Sequence, residues 1–385
     1  MSKMEQTRFF QVKPAIYYGL NSIQKLSELN LGRVCIVTDE GMVKFGLLKM
    51  ITDVLDQHQI RYHVFDDVEP DPSTDIVEKG LYHILLEKPD ALIALGGGSA
   101  IDSAKAIIYY CYHFKEIFIE PALIQKPIFI ALPTTAGTGS EVTNYAVITD
   151  KNNNAKIALS DTLMMPDIAI LDPKLIESVP AGATAATGMD VLTHGYEAYV
   201  STENNPFSRA YAIKAIELVF KNLYDSLADG SDIHAKANMQ IASCMAGIAF
   251  NSAGLGITHS IAHAIGARWH LPHGFANAIV LPYVIAFNGN CPRATHFHGR
   301  ILDAMQIGFK PDHATAKLLA DVKALKRQLQ LPACLKEHGI VEEEYLASKE
   351  KIVQQAMKDV CTTTTPLPPT LEEMNKLFDD VYYGC

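Results

Sequence analysis

Between Arg33 and about Asp172 the apolar positions fall into short unbroken runs rich in β-branched residues, separated by longer stretches in which they recur every three or four positions. The runs at 34–38, 63–65, 91–95 and 128–132 read as buried strands, and the stretches at 41–57, 76–86 and 100–110 as helices. Continuous apolar strands are strands covered on both faces, so the alternation predicts a parallel sheet whose ligands sit beyond the carboxyl ends of its strands. After about Pro180 the strand pattern stops. Alanine-rich segments of helical spacing follow at 184–200, 206–228, 233–253, 256–268 and 274–287, with further helices expected at 314–330, 342–359 and 369–381. The threonine- and proline-rich segment 361–370 reads as a local loop.

Two strand ends carry unusual loops. Gly96-Gly97-Gly98-Ser99 follows the third strand, where bare backbone N–H groups and a helix N-terminus can approach a pyrophosphate. Asp102, three residues after Ser99, is spaced for a capping arrangement. Triple glycines commonly make nothing more than tight turns, and the G-x-G-x-x-G spacing is absent. The run from Thr134 to Ser140 repeats the Gly/Thr/Ser character at the next strand end, and two such loops side by side favour a nucleotide over a turn. Asp39, directly after the first strand, is placed to accept from a ribose 2′-hydroxyl, which favours NAD over NADP; capping a helix that starts near Gly41 is the competing role.

The helical half concentrates histidines. His259, His263, His270 and His273 lie within 15 residues among Ala, Ile, Leu and Gly. His259 and His263 share a helix face, and Pro272 suits the first turn of a new helix that starts by turning His273 back at the first. A buried helix pair whose histidines bond backbone carbonyls is the plain alternative. Asp190 and His194, again at i,i+4, add a carboxylate and a further imidazole, a donor set suited to a cation of the Fe, Zn or Mn group.

At 385 residues and 48% hydrophobic content the chain supports two domains. A net charge of −10 without a basic run argues against nucleic acid or an anionic membrane as partner and leaves a small molecule. Seven scattered cysteines, none in a C-x-x-C pair, suit a reducing cytoplasm. Residues 1–11 hold no apolar signal core, and no run reaches the ~18 apolar residues of a membrane span.

With these residues assembled, the chain resembles the iron-containing (group III) alcohol dehydrogenase family over nearly its full length, most closely its short-chain propanol and butanol members. The likeness rests on Gly96-Gly97-Gly98-Ser99 with Asp102, on the run from Pro133 to Thr143, on Gly188-Met189-Asp190 with His194, and on His259, His263 and Pro272-His273-Gly274. It implies a dehydroquinate synthase-like fold: an α/β dinucleotide-binding domain over 1–182 and an all-α metal-binding domain over 183–385, with the active site between them. Asp190, His194, His259 and His273 are then the metal ligands, and His263 the uncoordinated neighbour that relays a proton. NAD(H) would be met by Asp39, Gly97, Gly98, Ser99, Asp102, Thr134, Thr135 and Thr138, with Lys156 at the nicotinamide ribose and Phe250 beside the substrate.

The implied reaction is reversible hydride transfer between NAD(H) and a short-chain alcohol or aldehyde whose oxygen a Lewis-acidic cation polarises. Four protein donors fill a tetrahedron before substrate enters, which favours Fe²⁺ over Zn²⁺. The family also implies a homodimer or higher homo-oligomer. Asp71 and Tyr145 stand where some members carry asparagines, Thr365-Pro366-Leu367 replaces a common Asn-Pro-Arg, and His270 matches no family role. NAD-using sugar-phosphate cyclases of the same fold are the rival; they need a basic cluster at the metal, and Arg268 is nearly alone there. A non-catalytic scaffold would have no use for four ligands and two glycine loops.

Overall fold

The computed structural model describes residues 7, 9–118, 126–151, 155–228 and 230–384. Cys385 and most of the first eight residues, read above for cysteine usage and a signal core, lie outside them. The first half is β1 (Ala15–Tyr18), β2 (Arg33–Val37), α1 (Glu40–Lys44), α2 (Leu47–Gln57), β3 (Arg61–Phe65), α3 (Thr74–Glu87), β4 (Ala91–Gly96), α4 (Gly98–Phe118), β5 (Ile128–Pro133), β6 (Tyr145–Asp150), β7 (Ala155–Ser160) and β8 (Ile168–Leu171). Six strands form one parallel sheet in the order β1-β8-β5-β4-β2-β3, while β6 and β7 form a separate antiparallel hairpin.

β4 shows why an unbroken apolar run makes a central strand. All of its residues are buried. Because side chains alternate, Leu92 and Ala94 enter the core beneath α3 and α4, whereas Ala91, Ile93 and Leu95 enter the one beneath α2. The sheet therefore has no wet face, and its open positions are the strand ends.

The second half is helical throughout its described residues: α5 (Ala181–Val200), α6 (Pro206–Ala228), α7 (Ile233–Ala253), α8 (Ile257–Trp269), α9 (His273–Asn288), α10 (Pro292–Ala304), α11 (Ala314–Gln328), α12 (Leu335–His338), α13 (Glu342–Lys358) and α14 (Leu371–Tyr383). α5 is its axis, buried almost continuously from Thr184 to Val200 and packed on α6, α7 and α9. Among the described residues no single helix is long and apolar enough to cross a membrane, and the six described cysteines are free thiols.

The structure departs from the sequence pattern at definable places. β1 and β8 are four residues each, too short for a periodic signal, and the β6–β7 hairpin and the half-polar α10 also went unread. The single helix expected over 41–57 breaks at Gly46, which takes a left-handed φ of 76° between α1 and α2. α4 starts at Gly98, so Ser99 lies inside the helix and Asp102 is not its capping partner. Part of the 361–370 loop is a 3-10 turn, Val360–Thr364.

The halves meet through two glycines. Gly139, at φ 62°, lies against α7, and a Cβ added to Gly247 would come within 2.7 Å of the Gly139 carbonyl oxygen and of Val142 Cγ2. This contact seats the 134–140 loop on the helical domain. Gly247→Ala should lower stability by about 1–3 kcal/mol through overpacking; an unchanged urea midpoint would show that the contact is loose.

Candidate metal centre and nucleotide cleft

Three helices bring together the residues singled out for a metal. Asp190 and His194 sit one turn apart on α5, His259 lies in the first turn of α8, and His273 opens α9. His270 ends α8 in a left-handed conformation, φ 54°, exposed and outside the cluster. The break it makes lets the chain reverse at Pro272. Gly274 then allows α9 to touch α5, since a Cβ there would meet the Ala186 carbonyl oxygen at 2.5 Å. A larger residue would push His273 away from Asp190.

One donor atom from each of Asp190, His194, His259 and His273 falls within 4.8 Å of the others. The Nε2 atoms of His194, His259 and His273 stand 3.8, 4.0 and 3.6 Å from Asp190 Oδ1. Tetrahedral donors around a first-row cation with bonds of about 2.1 Å lie about 3.4 Å apart, so the three distances to Asp190 Oδ1 are within a few tenths of an ångström of that spacing. Burial holds His259 well below the ordinary imidazole range, which leaves a neutral ring with a free lone pair. Burial alone would raise the Asp190 carboxyl, but His194, His273 and His259 together with the Asn277 amide hold it below its usual range. One ionised carboxylate with neutral imidazoles is the protonation state a divalent cation requires.

The pocket has an open side. The His273 side chain is 44% exposed, against 1% to 5% for the other three ligand candidates. The ring of Phe250, on α7, lies 4.6 Å from that of His194 and forms a wall. His263, one turn beyond His259 and 43% exposed, stacks at 5.4 Å on His273. Its Nδ1 is 2.8 Å from Asp359 Oδ2, while Asp359 Oδ1 accepts the Cys361 N–H.

Three polar residues here escaped the sequence reading. Asn277, one turn after His273, places its amide nitrogen 2.7 Å from Asp190 Oδ1 and 3.2 Å from Nε2 of both His259 and His273. Glu197 extends the Asp190, His194 face of α5 by another turn and reaches His259; burial pushes its carboxyl up to about 7, against the pull of its Thr258 and Gly256 donors. Their helical spacing from Asp190 and His273 was the available signal. Asp359 had none, being 96 residues from its partner.

At the sheet, Gly97, Gly98 and Ser99 are part-exposed at the start of α4, facing Thr135 and Thr138; Thr134 is buried. Asp39 does cap α1, its Oδ1 accepting from Gly41 and Met42 N–H. Its Oδ2 takes no part in the cap and lies 3.4 Å from where a Cβ on Gly96 would be, at the glycine turn. Lys156 Nζ pairs with Asp71 Oδ1 at 2.5 Å, both side chains exposed, and the charge of Asp71 is felt weakly at His273. Tyr145 is exposed on β6, with its carbonyl turned inward.

Asp102 faces inward, accepting from Ser140 Oγ at 2.7 Å and Val147 N–H at 3.0 Å. Lys105, wholly buried, donates to Ser140 Oγ, Thr143 Oγ1 and the Tyr145 carbonyl. Burial drives Lys105 down to about 8, with Asp102 and Glu141 opposing the fall. Lys105→Met would strand these carboxylates and should cost about 3–5 kcal/mol, read as a lower urea midpoint; a midpoint within error of the parent would remove Lys105 from the support of the loop.

Comparison with known proteins agrees with this geometry. Residues 14–173 match the iron-containing alcohol dehydrogenase family, and residues 184–382 match the C-terminal part of the Fe-containing alcohol dehydrogenase family. An NADPH-dependent butanol dehydrogenase of Clostridium saccharobutylicum is 39% identical over 97% of this chain and 98% of its own. A 1-propanol dehydrogenase of Citrobacter freundii is 38% identical over 97% and 99%. A solved 1,3-propanediol oxidoreductase superposes with a TM-score of 0.89 at 33% identity, over 97% of this chain and 100% of that one. None of these is a sugar-phosphate cyclase. The chain belongs to the iron-containing alcohol dehydrogenase family, and its activity is that of an alcohol dehydrogenase and aldehyde reductase.

Proposed function

We propose that the chain interconverts short-chain alcohols and aldehydes with NAD(H) at a divalent metal, Fe²⁺ in preference to Zn²⁺, held by Asp190, His194, His259 and His273. The observation that carries this reading is the convergence of one carboxylate oxygen and three imidazole nitrogens beside an opening walled by Phe250. When bound, the cation polarises the substrate oxygen and the nicotinamide exchanges the hydride. Asp190 keeps its charge and the histidines keep their lone pairs, Phe250 excludes water from the carbon chain of the substrate, and His263, oriented by Asp359, passes the hydroxyl proton to solvent. Four protein donors already complete a tetrahedron, and Fe²⁺ accepts the further substrate oxygen more readily than Zn²⁺.

For the cofactor, Gly97, Gly98, Ser99, Thr134, Thr135 and Thr138 line the cleft for the pyrophosphate, with Asp102 bracing the second loop through Ser140. Lys156, now paired with Asp71, would hold the nicotinamide ribose when the cofactor is bound. NAD rather than NADP is supported by the uncapped Oδ2 of Asp39 at the glycine turn, where a 2′-phosphate would meet a carboxylate; the butanol dehydrogenase relative uses the other cofactor by name. The chain divides at 182/183 into nucleotide and metal domains. Free thiols support a cytoplasmic setting, and the edge position of β1 supports assembly into a homodimer.

The reaction is followed as NADH oxidation with C2 to C6 aldehydes and diols, with Fe²⁺ or Zn²⁺ added. His263→Ala should retain stoichiometric metal while lowering kcat about 10²–10⁴-fold, and His259→Ala should retain no metal; full activity of metal-stripped His259→Ala enzyme would overturn the reading. Asp39→Gly should raise the NADPH-to-NADH ratio of kcat/KM at a stability cost of only a few tenths of a kcal/mol. An unchanged ratio would reduce Asp39 to its role as a cap.

A further inference from the structure

Glu197 is 2% exposed in the last turn of the long buried helix α5, and a carboxylate there needs a purpose and partners. Its partners all come from the start of α8. Oε2 accepts the Gly256 N–H at 2.8 Å and lies 2.6 Å from His259 Nδ1; Oε1 accepts the Thr258 N–H at 2.6 Å. Two backbone donors and one imidazole converge on two oxygens, an arrangement that the ionised carboxylate, an acceptor alone, satisfies without conflict. With Oε1 and Oε2 each already accepting a backbone N–H, this geometry favours the shared proton on His259 Nδ1 over the carboxyl. Nε2 is left bare, and it is the atom that stands 4.0 Å from Asp190 Oδ1 and 3.2 Å from the donating amide of Asn277.

We infer that Glu197 is a positioning residue for the metal centre: it locks His259 in the Nδ1–H tautomer, aims the Nε2 lone pair at the cation, and thereby sets metal affinity. The inference rests on the proposed ligand set of Asp190, His194, His259 and His273. It also explains why Glu197 follows Asp190 and His194 on the same helix face. Asp190 and His194 reach the site directly, and Glu197 reaches it through the ring of His259. The same carboxylate fixes the first turn of α8 by taking two of its free N–H groups, so ring and backbone are held by one group. Gly256 fits this contact, since a Cβ there would meet Glu197 Oε1 at 2.9 Å.

The test separates aiming a ligand from holding a helix. Metal-free wild type, Glu197→Gln and His259→Ala are titrated with Co²⁺ against a chromophoric chelator, with circular dichroism and melting recorded on the same metal-free samples. Glu197→Gln should keep the fold and bind Co²⁺ about 10–100-fold more weakly, with a changed visible spectrum. A dissociation constant within twofold of wild type overturns the inference. Wild-type affinity in His259→Ala overturns instead the ligand set beneath it. If Glu197→Gln fails to fold, nitrogen chemical shifts of ¹⁵N-histidine-labelled wild type, metal-free, report the tautomer directly. A proton on His259 Nδ1 supports the inference, and a proton on Nε2 overturns it.

Discussion

Three imidazole nitrogens and a carboxylate oxygen gathered within 4.8 Å, inside a bundle that otherwise buries Ala, Ile and Leu, are the constraint on which the helical half depends. Charge and lone pairs are expensive to bury unless each is answered, and here Asn277 and Glu197 answer part of that demand while the convergent set offers donors suited to a cation. α5 stays buried over four turns so that Asp190 and His194 face inward, the α8–α9 break reverses the chain so that His259 and His273 face each other, and Gly274 lets α9 close onto α5. Around the donors, Asn277 and Asp359 occupy positions that side chains chosen for packing alone would leave apolar.

The nucleotide half meets a milder demand. Its glycine turn and the Thr134 to Ser140 loop need only present backbone and hydroxyls at strand ends, but the loops must keep a fixed position relative to the helical half. A buried hydrogen-bond network around Lys105 holds the second loop in place. Lys105, Asp102 and Ser140 tie α4 to the second loop, and Gly139 against Gly247 ties that loop to α7. Buried charged and polar groups linked in this way contribute little net stability against an apolar alternative, yet their hydrogen bonds are met in one arrangement. For a hydride to pass between two separately bound molecules, a single arrangement of the domains matters more than additional stability.

Much of this was legible along the chain. Unbroken apolar runs identified β2, β4 and β5 because a strand covered on both faces cannot alternate, and helical spacing located α5 to α9 nearly to the residue. Asp190, His194, His259 and His273, which the structure brings together, stood out along the chain because i,i+4 histidines and an Asp–His pair contrast with alanine and isoleucine. What stayed hidden was short or half-polar: β1 and β8 with four residues each, α10, and the hairpin that carries Lys156. Asp102 illustrates a different failure. Its spacing from Ser99 suggested a local cap, and the competing long-range partners Ser140 and Val147 took the carboxylate instead.

The sequence by itself determined the class of the fold, the sites of the two loops and the identity of the donor atoms, because each is a matter of local periodicity or residue chemistry. The family resemblance already set His270 apart from His259 and His273, and the tertiary structure supplies the physical reason. His270 has the same chemistry as His273 and lies three residues away, yet a left-handed backbone turns it to solvent while α9 carries its neighbour to Asp190. Tertiary packing likewise assigned Asp359 to His263 from 96 positions away and Glu197 to His259 from 62. Hydrogen bonds of such sequence separation leave no periodic trace, since what joins the partners is the path of the helices between them.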